Sequence, residues 1–258
     1  MVSLNDITQM EYLASCCWPA RETERYKGWI IHWNDGITWR ANSVLPIGPI
    51  DELQLEDAIE YVISFYEDKQ TPPAFKLTIA SLPEDLDETL AEMGFEKRMV
   101  TYFQVIQIDE LSCILPRVPV DIIKVNNDSI NTLMFQSGLD ETAINVRKEI
   151  MNRIDGEKGI ARVMIDGRLA GAGLGVVQDG WLGLFSIRTL PEYQRRGVAW
   201  SVNCALGTWG EDLGAKNAFL QVEARNGPAL AFYESMGFET MYTYWYRILD
   251  SRKRMVTS

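Results

Sequence analysis

The chain has 258 residues and a formal net charge of -11 at pH 7, with a pI near 4.7; this argues against a nucleic-acid partner, since phosphate contacts need clustered Lys and Arg, and favours a cationic one. Four cysteines (Cys16, Cys17, Cys113, Cys204) form no C-x-x-C pair and stand with a single histidine, His32, so no standard zinc site can be built, no metal is expected and the thiols should be reduced. The polar, acidic N-terminus and the lack of any apolar run of membrane-spanning length lead us to expect a cytoplasmic protein with no membrane association.

In chain order, the first half shows a strand-like run at 38–45 ending at Pro46, a loop at 47–52 and a strand at 76–83. A helix follows that closes on Gly94-Phe95, and then a strand at 100–108. Residues 109–119 carry Pro116 and Pro119 and break the pattern. The length suits two domains, so we expect one over 1–110, a linker over 111–119 and a second over 120–258. The second half predicts a strand at 120–125, helices at 129–137 and 141–154, and a hairpin of strands 159–165 and 169–178 turning at Asp166-Gly167. A strand at 184–190, a helix at 198–213, a strand ending near Glu223, a helix from Pro228 and a last strand at 238–248 complete it. The fold class is α/β, with the mixed sheet of an α+β arrangement.

Gln194, Arg195, Arg196, Gly197, Val198, Ala199 and Trp200 lie where the 184–190 strand turns into a helix. Such a turn aims free backbone N–H groups and the positive end of the helix dipole at one point, which suits a phosphate. Further on, a strand runs through Glu223 to Asn226, and a helix from Pro228 carries Tyr233 and ends at Gly237-Phe238. Asn226 and Tyr233 are seven residues apart, about two helical turns, so a helix starting near Pro228 lets both face one cleft. Taken singly, Tyr233 also reads as a core aromatic, Asn226 as an N-cap and Gly237 as a helix terminator.

Gln194-x-x-Gly197-x-Ala199 resembles the coenzyme-pyrophosphate loop of the GNAT superfamily of N-acetyltransferases. The segment from Asn226 through Tyr233 to Gly237-Phe238 resembles its second hallmark, at the family's spacing. The resemblance covers residues 118–250 and implies acetyl-CoA as co-substrate, bound by the backbone of Arg195 to Trp200. It also implies a splayed strand in which Phe185, Ser186 and Ile187 hold the pantetheine arm, with the Ile187 N–H as oxyanion donor. Tyr233 is the matched acid for the leaving thiolate. Glu223, at the end of the strand leading to Asn226, is our candidate base. The implied acceptor is an amine of a small molecule or peptide. A homodimer is compatible with all of this.

The first half repeats the second in faded form. Gly94 and Gly237 are 143 residues apart, and Pro46 and Pro191 are 145 apart. After Pro46, however, come Asp51 and Glu52 in place of Arg195 and Arg196, while Tyr233 falls on Leu90 and Asn226 on Pro83. The first half therefore resembles a degenerate GNAT-like domain that holds no coenzyme, and the chain a tandem of two such domains. Two alternatives stay open: a coenzyme-binding regulator without turnover, and a tandem acyltransferase like those of mycothiol synthesis.

Overall fold

A computed structural model describes residues 2–51, 54–134 and 138–250. The chain forms two compact units. The first comprises residues 1–102, 223–226 and 241–258, and the second 103–222 and 227–240.

The first unit contains α1 (Leu4–Cys17), the antiparallel pair β1 (Glu22–Tyr26) and β2 (Trp29–Trp33), β3 (Val44–Leu45), α2 (Leu55–Asp68), β4 (Ala74–Leu77) and α3 (Leu86–Glu92). Helix α1 starts at a reciprocal cap: Asp6 N donates to Ser3 Oγ at 3.1 Å and Ser3 N to Asp6 Oδ2 at 3.0 Å. Its strands run in the order β1-β2-β3-β4-β11, where β11 (Glu239–Ile248) is the last strand of the chain. β3 and β4 are parallel and the other pairs antiparallel. The face of α2 bearing Ala58, Ile59, Val62, Ile63 and Tyr66 packs on Trp29, Ile31, Phe75 and Leu77, a stripe at helical spacing against alternate strand residues.

The second unit contains α4 (Ile108–Ser112), β6 (Asp121–Lys124), α5 (Asn127–Met134), α6 (Glu141–Arg153), β7 (Glu157–Ile165), β8 (Arg168–Gln178), β9 (Trp181–Thr189), α7 (Val198–Asp212), β10 (Asn217–Glu223) and α8 (Gly227–Ser235). Its strands run β10-β9-β8-β7-β6, with β9 and β10 parallel and the rest antiparallel. Asp166 and Gly167 turn the β7–β8 hairpin with φ of 51° and 73°, the two positive values a tight two-residue turn needs. β5 (Glu96–Gln107) gives 96–102 to the first unit and 103–107 to the second.

The expected repeat is visible element by element. α2 and α7 begin at 55 and 198, β4 and β10 at 74 and 217, β5 and β11 at 96 and 239, each 143 residues apart. Both copies stop their second helix in the same way. Phe95 N bonds Leu90 O at 2.9 Å and Gly94 N bonds Ala91 O at 3.0 Å; Phe238 N bonds Tyr233 O and Gly237 N bonds Glu234 O, both at 3.0 Å. With φ of 88° and 94° at the two glycines, these are Schellman stops.

Several expected boundaries move. The run 38–45 is not a strand until Val44, because the buried Asn42 side chain ties the preceding loop into a turn: Asn34 N donates to its Oδ1 at 2.7 Å, and its Nδ2 donates to Ile37 O and Thr38 O at 2.8 Å. The strand expected at 76–83 ends at Leu77, since the Ser81 and Thr78 hydroxyls capture the N–H groups of Thr78 and Ala80 at 2.9 and 3.0 Å. The compact units divide after Tyr102 instead of at 111–119, and β11, expected in the second domain, pairs with β4. Most of that expected linker is fastened to α7: Leu111 is fully buried against Gly207, and Ser201 Oγ accepts from the N–H groups of Arg117 and Val118 at 2.8 and 3.0 Å. The helix expected at 129–137 is seen as α5 to Met134; its end, like Glu52, lies outside the described residues.

Candidate active site

Strand β9 is irregular on both sides. Towards β8, Ala172 opposes Arg188 and Leu174 opposes Phe185, so Ser186 and Ile187 together face Gly173 alone. That is a β-bulge, and Ser186 has φ +52°. Towards β10, parallel pairing joins Trp181–Gly183 to Asn217–Phe219 and goes no further. From Leu184 onwards the two strands leave each other's ladder, and the bulge lies in the part that has separated. The three residues expected at the acyl carbonyl, Phe185, Ser186 and Ile187, are therefore where the strand is both bulged and unzipped, with Phe185 buried against the ring of Phe219 at 5.9 Å.

Beyond β9, Leu190 N returns to Ala170 O at 2.9 Å, and a 3-10 turn (Pro191–Tyr193) leads through Gln194 to α7. Arg195 and Gly197 have φ of 60° and 80°. Gly197 is the N-cap of α7 and brings no side chain to cap it, and the first turn holds no acidic residue. The N–H groups of Val198, Ala199 and Trp200 thus open the helix without a side-chain acceptor from the cap, at the positive end of a 15-residue helix. Two glycines of β8 let this helix approach the sheet. A Cβ at Gly171 would meet Val198 Cγ1 at 2.5 Å, and one at Gly173 would meet Val202 Cγ1 at 2.8 Å.

Sequence reasoning missed one cation at this turn. Arg117, within the stretch read as a linker, lays its guanidinium over the Trp200 indole at 3.9 Å, and Trp200 Nε1 donates to Leu115 O at 3.2 Å. No local pattern marks a residue some 80 positions before the helix it decorates. Arg196 instead lies over the Tyr193 ring at 5.5 Å, while Arg195 is exposed.

Tyr233 is half-buried on α8, its ring edge-on to Phe232 at 5.1 Å and Phe238 at 5.6 Å. Burial pushes its phenol up to about 12, so it stays protonated at any ordinary pH. Its hydroxyl has no hydrogen-bond partner among the described residues. Glu223 and Asn226 are counted with the first unit. Glu223 is paired with Arg225 Nε at 2.5 Å, and its carbonyl accepts from Asn226 N at 2.9 Å.

The corresponding places in the first unit are filled differently. Leu90, at Tyr233's position, is fully buried core. The first turn of α2 carries Glu56 and Asp57, where α7 has no acid. Leu82 N donates to Pro46 O at 2.9 Å, joining by a backbone hydrogen bond the segments that follow β4 and β3. Among the described residues no group of three or more His, Cys, Asp or Glu could hold a metal ion, and no helix is long and apolar enough to cross a membrane.

Comparison with known proteins agrees with this geometry. The chain is 27% identical over 261 residues to the "Uncharacterized N-acetyltransferase YobR" of Bacillus subtilis (strain 168), covering 95% of this chain and 99% of that protein. A "GCN5-related N-acetyltransferase from Kribbella flavida" superposes with a TM-score of 0.70 at 16% identity, over 96% of each chain. A "Tandem GNAT protein from the clavulanic acid biosynthesis pathway" gives 0.60 at 14% identity, over 93% of this chain and 87% of the other. These likenesses show a tandem GNAT fold. Residues 4–247 match the family described as "Probable histone acetyltransferase Rv0428c C-terminal", and the chain belongs to that acetyltransferase family of the GNAT superfamily.

Proposed function

We propose that the chain transfers an acetyl group from acetyl-CoA to an amine of a small molecule or peptide by direct attack. One observation carries this reading: β9 bulges at Ser186-Ile187 within the stretch where it has parted from β10, and then runs into a helix whose N-cap is a bare glycine. A slot, a dipole at its centre and an anion cradle at its end thus lie along one strand.

In this reading the N–H groups of Val198, Ala199 and Trp200 hold the pyrophosphate, with Arg195 and Arg117 adding charge at the mouth. Phe185 and Ser186 line the pantetheine arm, and Gln194 and Asn226 are polar contacts. The Ile187 N–H donates to the thioester carbonyl oxygen, more strongly as that oxygen gains charge, which is worth a few kcal/mol in a dry site. Glu223 takes the proton from the acceptor ammonium, and the freed amine attacks the carbonyl carbon. As the C–S bond breaks, Tyr233 gives its phenolic proton to the departing thiolate, and the extra proton left on the acylated nitrogen returns to the tyrosinate. A phenol raised by burial is matched to this task, because the same desolvation raises the basicity of a thiolate beside it. We place the protein in the cytoplasm, where acetyl-CoA is made.

The test is thiol release from acetyl-CoA by the intact chain, measured across a panel of amines, amino acids and peptide N-termini. Coenzyme binding with no acceptor-dependent thiol release from any of them would favour a regulator over an enzyme.

A further inference from the structure

A second feature of this unit lies outside the acetyl-transfer reading. A cavity of about 600 Å³ lies between α5, the end of the β7–β8 hairpin and the 3-10 turn after β9. Its charged groups come from different elements by sign. Arg162 and Arg168 come from the hairpin, while Asp128 comes from α5 and Glu192 from the 3-10 turn. Met164 and Leu169 add an apolar surface between them.

None of the four charges is paired with another of the four. Arg168, Asp128 and Glu192 have no side-chain partner among the described residues. The Arg162 Nε is buried and makes no hydrogen bond, although it forms an ion pair with Asp121 Oδ2 at 3.6 Å. A buried guanidinium nitrogen without a hydrogen bond is costly, and a carboxylate is the group that fits its planar fork. Asp128 and Glu192 offer carboxylates to an ammonium.

We propose that this cavity is a binding site for a small zwitterion with an apolar side chain, of the α-amino-acid type: its carboxylate on Arg162 and Arg168, its ammonium on Asp128 and Glu192, its side chain on Met164 and Leu169. The volume is that of an ordinary small-molecule site. A ligand with both charges satisfies both kinds of group, whereas an ion of either sign leaves one kind unpaired. Glu192 also belongs to the turn leading to Gly197, so an occupant there touches the segment that shapes the start of α7.

The experiment is calorimetric titration of the intact chain, without coenzyme, using L-leucine, L-leucinamide (ammonium only) and N-acetyl-L-leucine (carboxylate only). Leucine should bind at least tenfold more tightly than either analogue. Arg168→Gln and Asp128→Asn should each weaken leucine at least tenfold, with melting temperature and coenzyme affinity unchanged. Equal binding of the three probes, no binding of leucine at millimolar concentration, or leucine affinity untouched in both variants would each overturn the proposal. None of these readouts depends on acetyl transfer, so they stand or fall apart from the enzymatic reading.

Discussion

Replacing Gly197 by valine tests the phosphate cradle most directly. Gly197 has φ +80°, and a Cβ there would lie 2.9 Å from Arg117 Cβ, closer than real Cβ atoms come. The left-handed conformation costs an L-residue about 1–2 kcal/mol, more when it is β-branched, so the turn will relax by moving the first N–H groups of α7. Each charge-assisted hydrogen bond to a phosphate is worth about 1.5–3 kcal/mol, and misplacing one weakens coenzyme binding by roughly ten- to a hundredfold. Gly214 supplies the control. Its φ is +86° with nothing within 4 Å of an added Cβ, and it follows the far end of α7. Gly214→Val should carry similar backbone strain and lower the melting temperature, yet leave coenzyme affinity as in the parent. Calorimetric titration of CoA into all three proteins reads the difference. Unchanged affinity in Gly197→Val, or an equal loss in Gly214→Val, would refute the assignment of this turn to the pyrophosphate.

Tyr233→Phe should lower turnover by roughly ten- to a thousandfold while coenzyme affinity is retained, because its proton is needed only as the thiolate leaves; normal turnover would make Tyr233 a packing residue. Titration of the intact chain should give one coenzyme per chain, since Asp51, Glu56 and Asp57 stand at the first unit's counterpart of the cradle, and a stoichiometry of two would contradict this. His32, the single histidine, is held down to about 4 by burial first and then by the charges of Lys76 and Arg25. The unfolded chain takes up that proton near pH 6.5 and the folded chain only near 4, so His32's contribution is whole above 6.5 and is lost as pH falls towards 4. His32→Asn should therefore flatten the change in urea midpoint between pH 7 and 4.5, and the single imidazole resonance of the parent should titrate near 4; titration at 6–7 would refute it.

The second unit was largely legible in the sequence because its elements carry local signals. Asp166-Gly167 marks a hairpin, Gly197 a helix start and Gly237-Phe238 a helix stop, and each acts through neighbours in the chain. The first unit was harder to read because its decisive interactions are side chain to backbone. Asn42 folds residues 34–42 into a turn, and Thr78 with Ser81 ends β4 early, although both stretches have strand-like composition. The compact units divide elsewhere than the sequence suggests for a different reason. Sequence order suggests that β11 belongs with the helices before it, and only long-range pairing, Trp245 opposite Leu77 and Ile248 opposite Ala74, assigns it to the first unit. Arg117 eluded detection for the same reason: its partner Trp200 is distant in the chain.

The repeat also separates what the fold needs from what the chemistry needs. Both copies keep the parallel strand pair, the helix that connects its two strands and the glycine stop after the second helix, down to the same two hydrogen bonds. These features fix backbone paths, and any apolar side chain serves at the position where the stop begins. Leu90 fills it in one copy with complete burial, and Tyr233 fills it in the other with a half-buried ring and a hydroxyl that bonds nothing among the described residues. A packing role asks only for the ring, and the apolar Leu90 meets it without a hydroxyl. The first copy thus shows that a hydroxyl at this position is not needed for folding. A hydroxyl found only in the copy with the bulged strand and the bare helix start is what a catalytic acid at that position predicts.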